Sequence, residues 1–170
     1  PVPARSPLLL QLHQTHLIEI IMPSHYNTMI SGFRVDCIDP DLTGIPAMDI
    51  IVPLARTPRF NGHYHISIDE YTVGAHSIMV MDMVNHLTSF KKPELAVSAL
   101  LHDAHEVLWG FWDVTRPSLE SCPFIKSHLL HLQTKYEHHL GERFGFDPSL
   151  FKAAEIRIAD NAALMFEISH

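Results

Sequence analysis

The run Leu95-Ala96-Val97-Ser98-Ala99-Leu100-Leu101 is apolar enough to be buried, and it ends directly in His102-Asp103. Two adjacent titratable groups at the end of a buried helical stretch are costly unless something compensates their desolvation. A divalent cation would do so, because imidazole nitrogen and carboxylate oxygen are both good ligands for one. The dipeptide alone is common by chance. It gains weight from His76 upstream and Asp160 downstream, each on its own amphipathic segment. A chain that buries all three segments can bring His, His-Asp and Asp to one point.

The bulk numbers set the frame for that idea. At 170 residues the chain is long enough for a single domain with a real core. Its 46% hydrophobic and 18% charged residues fit a globular protein rather than a disordered one. A net charge of -7, with no basic stripe, argues against a nucleic-acid polymer as partner. A small phosphorylated ligand remains compatible, since a metal and two or three Arg or Lys suffice locally. Cys37 and Cys122 form no CxxC and no disulfide framework, which points to reduced thiols in a cytoplasmic protein. The apolar-rich stretch from Leu8 to Met22 is interrupted by Gln11, His13, Gln14, His16 and Glu19, so it predicts no membrane span. It also lacks the basic start and cleavage site of a signal peptide.

Histidine is the compositional outlier, with 14 in 170 residues. His128, His131, His138 and His139 share one helical segment, and His138 with Glu142 has i,i+4 ligand spacing. A solvated helix face is the simpler reading of that cluster.

Periodicity predicts an all-α bundle with a loop-rich N-terminal third. Ser31 to Thr43 reads as a short extended or hairpin segment, and Met48 to Ala55 as a short helix interrupted by Pro53. Arg59 to Tyr71 reads as a loop, with Asn61-Gly62 as a turn and alternation around Tyr64-His65-Ile66. Thr72 is a plausible N-cap for a helix carrying Val73, His76, Val80, Met83 or Val84, and Leu87 on one stripe. Pro93 starts a helix predicted to run to about Trp109. Ile125, Leu129, Leu132, Tyr136, Leu140 and Phe144 mark a long helix ending near Gly145. Asp147-Pro148 starts the last one, with Ile156, Asp160, Ala163 and Glu167 on a common face.

A lone His on an inward stripe is ordinarily a hydrogen-bonded core residue, and a lone Asp ordinarily a cap or an Arg partner. The ordered set His76, His102-Asp103, Asp160, with Glu106 one turn past His102, is more specific. It resembles the H…HD…D ligand pattern of the HD-domain phosphohydrolase superfamily. Ala99-Leu100-Leu101-His102-Asp103-Ala104-His105-Glu106, Thr72-Val73-Gly74-Ala75-His76-Ser77, Arg59-Phe60-Asn61-Gly62-His63 and Asp113-Val114-Thr115-Arg116-Pro117 all resemble segments of one of its subgroups. That subgroup holds bacterial 5'-deoxynucleotidases and phage dATP triphosphohydrolases. The likeness spans 31–170, and 1–30 stands outside it as an N-terminal extension. Phe111 and Trp112, between Gly110 and Asp113, lengthen the loop on the substrate side.

The resemblance implies metal ligation by His76, His102, Asp103 and Asp160. Two imidazoles and two carboxylates suit Co, Mn or Zn, with Fe and Ni also compatible, better than Ca. A second divalent ion could sit on the phosphates. Glu106 is expected to orient or deprotonate the attacking water, with His102 and Asp103 as its catalytic companions. Arg59 is the expected phosphate clamp, with His63 and Arg116 as weaker candidates. Asp113 would accept from a sugar hydroxyl, and Phe60 or Trp109 would stack on a base. The implied reaction is hydrolysis of a deoxynucleoside 5'-monophosphate or triphosphate, dATP among the latter, by metal-activated water. The setting would be the cytoplasm, or the host cytoplasm for a phage protein, with a homo-oligomer, dimer or hexamer, as the assembly. A non-catalytic nucleotide-binding or regulatory HD module is the alternative. A di-iron HD oxygenase, which would recruit His128 and His131, is a more distant one.

Overall fold

The computed structural model describes residues 25–63, 70–110, 114 and 116–169, apart from the Arg116 side chain. The expectations for the stretch 8–22, for the alternation at 64–66 and for Asp113 lie outside the described residues. Within them the protein is mostly helical, with one small hairpin, as periodicity predicts. No described helix is long and apolar enough to cross a membrane.

The hairpin pairs β1 (Tyr26–Thr28) antiparallel to β2 (Arg34–Asp36), with Asn27 opposite Val35. Two short strands are marginal alone, and three contacts tie this pair to the helices. Val35 is fully buried in the core. Asn27 donates to the Leu108 carbonyl at 3.0 Å. Ser31 donates its amide (2.9 Å) and its hydroxyl to the buried Asp49 carboxylate. The hairpin thus straddles residue 31 and is part of the domain.

Asp49 lies on α1 (Met48–Leu54), which keeps its helical course through Pro53 and buries Ile50 and Leu54. The helix α2 (Val73–Leu87) starts where expected, because Thr72 Oγ1 accepts from the Ala75 amide at 3.1 Å. Its buried stripe is Val73, His76, Ser77, Val80 and Val84. Val84 rather than Met83 takes the last inward place, and Leu87 is exposed.

The predicted continuous helix from Pro93 to Trp109 is two helices, α3 (Pro93–Leu100) and α4 (Ala104–Trp109). The cause is local. His102 Nδ1 donates to the Ala99 carbonyl at 2.7 Å, taking the acceptor that the next helical amide would need. Backbone bonding tightens there to i−3, with Ala104 N on Leu101 O at 3.0 Å and Glu106 N on Asp103 O at 3.1 Å. His102 and Asp103 therefore sit on a turn between helices, not within one.

A short α5 (Arg116–Ser121) leads into α6 (Pro123–Phe144), which Gly145 ends at φ 76°. The amides of Gly145 and Phe146 both donate to the Gly141 carbonyl at 2.9 Å. A Cβ on Gly141 would stand 2.7 Å from Pro148 Cγ and 2.9 Å from the Phe146 carbonyl. Gly141→Ala is therefore expected to destabilise by about 1–3 kcal/mol through overpacking, read as a lowered Tm in a thermal melt. The last helix starts later than Asp147-Pro148 suggests. A 3-10 turn, Pro148–Lys152, comes first, and α7 spans Ala154–Ser169.

α2 packs on α3 and on α7. The core has two parts. One joins the hairpin, α1, α4 and α6 through Val35, Ile50, Leu108, Tyr136 and their neighbours. The other joins α2, α3 and α7 through Val80, Val84, Leu95, Ala99, Ile156, Ala159 and Ala163. His76 falls between Val73 of the first part and Val80 of the second, and His102 between Ala99 of the second and Ala104 of the first. The titratable cluster occupies the seam.

Candidate metal centre and adjoining cavity

Each donor reaches the seam for a definable reason. A backbone bridge between Pro58 and Thr72 closes the base of the loop, with Arg59 N on Tyr71 O and Val73 N on Thr57 O, both at 2.9 Å. That closure sets Arg59 beside the first turn of α2. The next two residues, Phe60 and Asn61, both hold φ 53°, a left-handed conformation that is strained for an aromatic residue. Strain of this kind collects where geometry matters more than stability. Arg59 itself is buried.

His76 is fully buried on α2. Its Nδ1 lies 2.6 Å from Glu167 Oε1, and its Nε2 lies 3.2 Å from Asp160 Oδ1 and 3.7 Å from Asp103 Oδ2. His102 Nε2 lies 3.2 Å from Asp103 Oδ2 and 3.9 Å from Asp160 Oδ1. The two imidazole centroids are 5.3 Å apart. Donor atoms of His76, His102 and Asp103 lie within 4.8 Å of one another, the one such three-donor group among the described residues. Asp160 reaches both imidazoles from α7 but falls outside that mutual set, and its side chain is 29% exposed.

These residues fit a divalent cation. Because His102 Nδ1 donates to the Ala99 carbonyl, Nε2 of the neutral ring carries the lone pair. That Nε2 is buried and has no hydrogen-bond partner. A buried orphan acceptor aimed at two carboxylates is what a cation would satisfy.

The electrostatics agree. Burial opposes a charged His76, but the Asp160 and Glu167 hydrogen bonds and the Asp103 charge outweigh it and push the ring up to about 9. Burial also opposes a charged Asp103, yet His102, His76 and Arg59 hold its carboxyl well below the usual range. His102 is likewise raised, with burial overcome by Asp103. The metal-free cluster thus holds a proton on His76 where a cation would go. A raised folded-state pKa stabilises below the unfolded value of 6.5 and loses that contribution as pH climbs through about 9. In the presence of chelator, Tm is expected to fall across that window. Saturating Mn or Zn should flatten the fall, because the cation takes the deprotonated ring. Thermal melts at three pH values with and without chelator check this.

A cavity of about 630 Å³ opens beside the cluster, lined among others by Arg59, Asp103, Glu106, Trp109, Lys126 and Gln133. Of the expected substrate contacts, Arg59, Phe60 and Trp109 line it, and so does Glu106. The Arg59 guanidinium stands 5.2 Å over the Phe60 ring. His63 is exposed and does not line the cavity. Asp113 and the Arg116 side chain lie outside the described residues. His128 and His131 are exposed, and His138 and His139 pair with Glu142 at 3.4 and 3.6 Å on the surface of α6.

No known family model matches the chain. Over 89 residues it is 33% identical to an uncharacterized protein of Rhodobacter capsulatus. The match covers 52% of this chain and 45% of that protein, so the chain spans under half the length of its relative.

Three contributors escape a reading of the sequence. His105 lines the cavity, donates from Nδ1 to the His102 carbonyl at 3.0 Å and packs edge-on against Trp109 at 4.6 Å. Burial, with His102 adding to it, brings His105 down to about 4, so it is neutral at pH 7. The α6 wall, with Lys126, Leu129 and Gln133, shows only helical periodicity in the sequence. Glu167 stands behind His76, and its one visible signal is its place on the Asp160 face, two turns on.

Proposed function

We propose that this protein is a metal-dependent phosphohydrolase acting on deoxynucleoside 5'-phosphates, in the manner of the HD-domain enzymes that its motifs resemble. The observation that carries the reading is the convergence of His76, His102, Asp103 and Asp160 around the unpartnered His102 Nε2. A nucleotide-sized cavity adjoins them and is lined by a guanidinium and a carboxylate.

His76, His102, Asp103 and Asp160 would hold the cation. Bound there, it would lower the pKa of a coordinated water and offset charge on the phosphoryl oxygens. Glu106, on the cavity wall one turn beyond the His102–Asp103 turn, would accept a proton from the attacking water. Arg59 would take two phosphate oxygens with its planar fork. Trp109, with Leu129 and Leu130 of α6, would provide a surface for the base. The new bond joins water oxygen to the α-phosphorus, and the bond from phosphorus to the sugar O5' breaks. The O5' leaves with a proton. A monophosphate then yields deoxynucleoside and phosphate, and a triphosphate yields deoxynucleoside and tripolyphosphate. The presence of Glu106 in the cavity favours an enzyme over a binding module.

Incubation with each dNMP and dNTP in Mn, Co or Zn tests the reading. Turnover of at least one, abolished by chelator, is the expected result. Metal and nucleotide binding without phosphate or tripolyphosphate release would leave the binding module in its place.

A further inference from the structure

The carboxylate of Glu167 is 4% exposed and meets three partners from two other segments. Oε1 accepts from His76 Nδ1 at 2.6 Å and from the Tyr71 hydroxyl at 2.6 Å. Oε2 lies 3.6 Å from Arg59 Nε. We propose that Glu167 is a positioning residue whose one carboxylate orients both the cation-binding imidazole of His76 and the phosphate-binding guanidinium of Arg59. The inference rests on the metal-centre reading above.

The chemistry runs through two edges. A ring that donates its Nδ1 proton to a carboxylate keeps its Nε2 lone pair directed the other way, toward Asp160 and Asp103. Such a carboxylate also makes the ring a stronger base toward a cation. For Arg59, the Nε edge faces Glu167, which turns the terminal nitrogens to the cluster. Nη1 stands 3.5 Å from Asp103 Oδ2, and Nη2 stands 3.4 Å from His76 Nε2. Tyr71 holds the carboxylate in place from the far end of the loop that carries Arg59. α7 therefore supplies a direct donor, Asp160, and, two turns later, the group that aims the others. The arrangement links cation affinity to phosphate affinity through one side chain. A purely structural buried Glu would support the fold and leave both unchanged.

The test uses the full chain, titrated calorimetrically with Mn and with Zn. Wild type is compared with Glu167→Gln, Tyr71→Phe and His76→Ala. The visible spectrum of the Co-loaded proteins and the Tm of the chelated proteins are recorded alongside. Glu167→Gln is expected to bind metal about ten- to a hundredfold more weakly, with an altered Co spectrum. Its KM for the deoxynucleotide turned over should rise as well. Tyr71→Phe keeps the carboxylate and removes its anchor, and it should lose about three- to tenfold in affinity. Wild-type affinity and an unchanged Co spectrum in Glu167→Gln would overturn the inference even if its Tm falls. If Glu167→Gln does not fold, unchanged affinity in Tyr71→Phe overturns it. His76→Ala separates the two levels. If it binds metal as wild type does, the centre itself is misassigned, whatever Glu167 does.

Discussion

His102→Ala and Asp103→Ala should each lower kcat/KM by roughly a thousandfold or more, to the level of chelated wild type, because several kcal/mol of charge stabilisation goes with the cation. The two losses arise differently. Removing the His102 imidazole deletes the buried Nε2 that no other side chain satisfies. It also returns the Ala99 carbonyl to the backbone, so the turn between α3 and α4 loses the bond that shapes it. Removing Asp103 deletes the carboxylate shared by His102 (3.2 Å), Arg59 (3.5 Å) and His76 (3.7 Å). The charged Arg59 and His76 then face each other with only Asp160 and Glu167 nearby, which is costly in a buried site. Asp103→Asn keeps the shape and removes the charge, so it should fold better than Asp103→Ala and turn over no better. Metal content by mass spectrometry, measured beside activity, should fall in all three. Full turnover in both alanine variants would show that this cluster is not the catalyst.

Arg59→Ala should lower kcat/KM by about a hundredfold while metal content stays near that of wild type, since two charge-assisted hydrogen bonds to phosphate are lost. Arg59→Lys should restore little of it. Lysine brings a point charge and no fork, and it cannot meet Glu167 through one edge while presenting another to the cavity. The retained metal separates this variant from the ligand variants. A lysine variant as active as wild type would mean that charge alone, not the planar geometry, is what the site uses.

Much of this was legible in the sequence because the signals were local. Thr72 caps its helix, Gly145 ends another, and Val73, Val80 and Val84 mark an inward stripe on which His76 is conspicuous. The order of His76, His102-Asp103 and Asp160 picked out side chains that the fold brings close together. What escaped was set by side-chain contacts that apolar spacing does not show. Apolar spacing runs straight through Leu101, so nothing in it shows that His102 will capture the Ala99 carbonyl and split the helix. Glu167 reads as an ordinary polar residue near a helix end until α7 is laid against α2. His105 looks like one more histidine in a histidine-rich chain, and only burial beside Trp109 distinguishes it.

The position of the cluster between the two parts of the apolar core has a mechanical consequence. Leu150 packs against both banks of that division, and the charged cluster lies along the line where they meet. A cation gripped from both banks would act as a rivet. Amides on either side of that line should exchange hydrogen with solvent more slowly once it is driven home, and those deep within each bank should hardly notice.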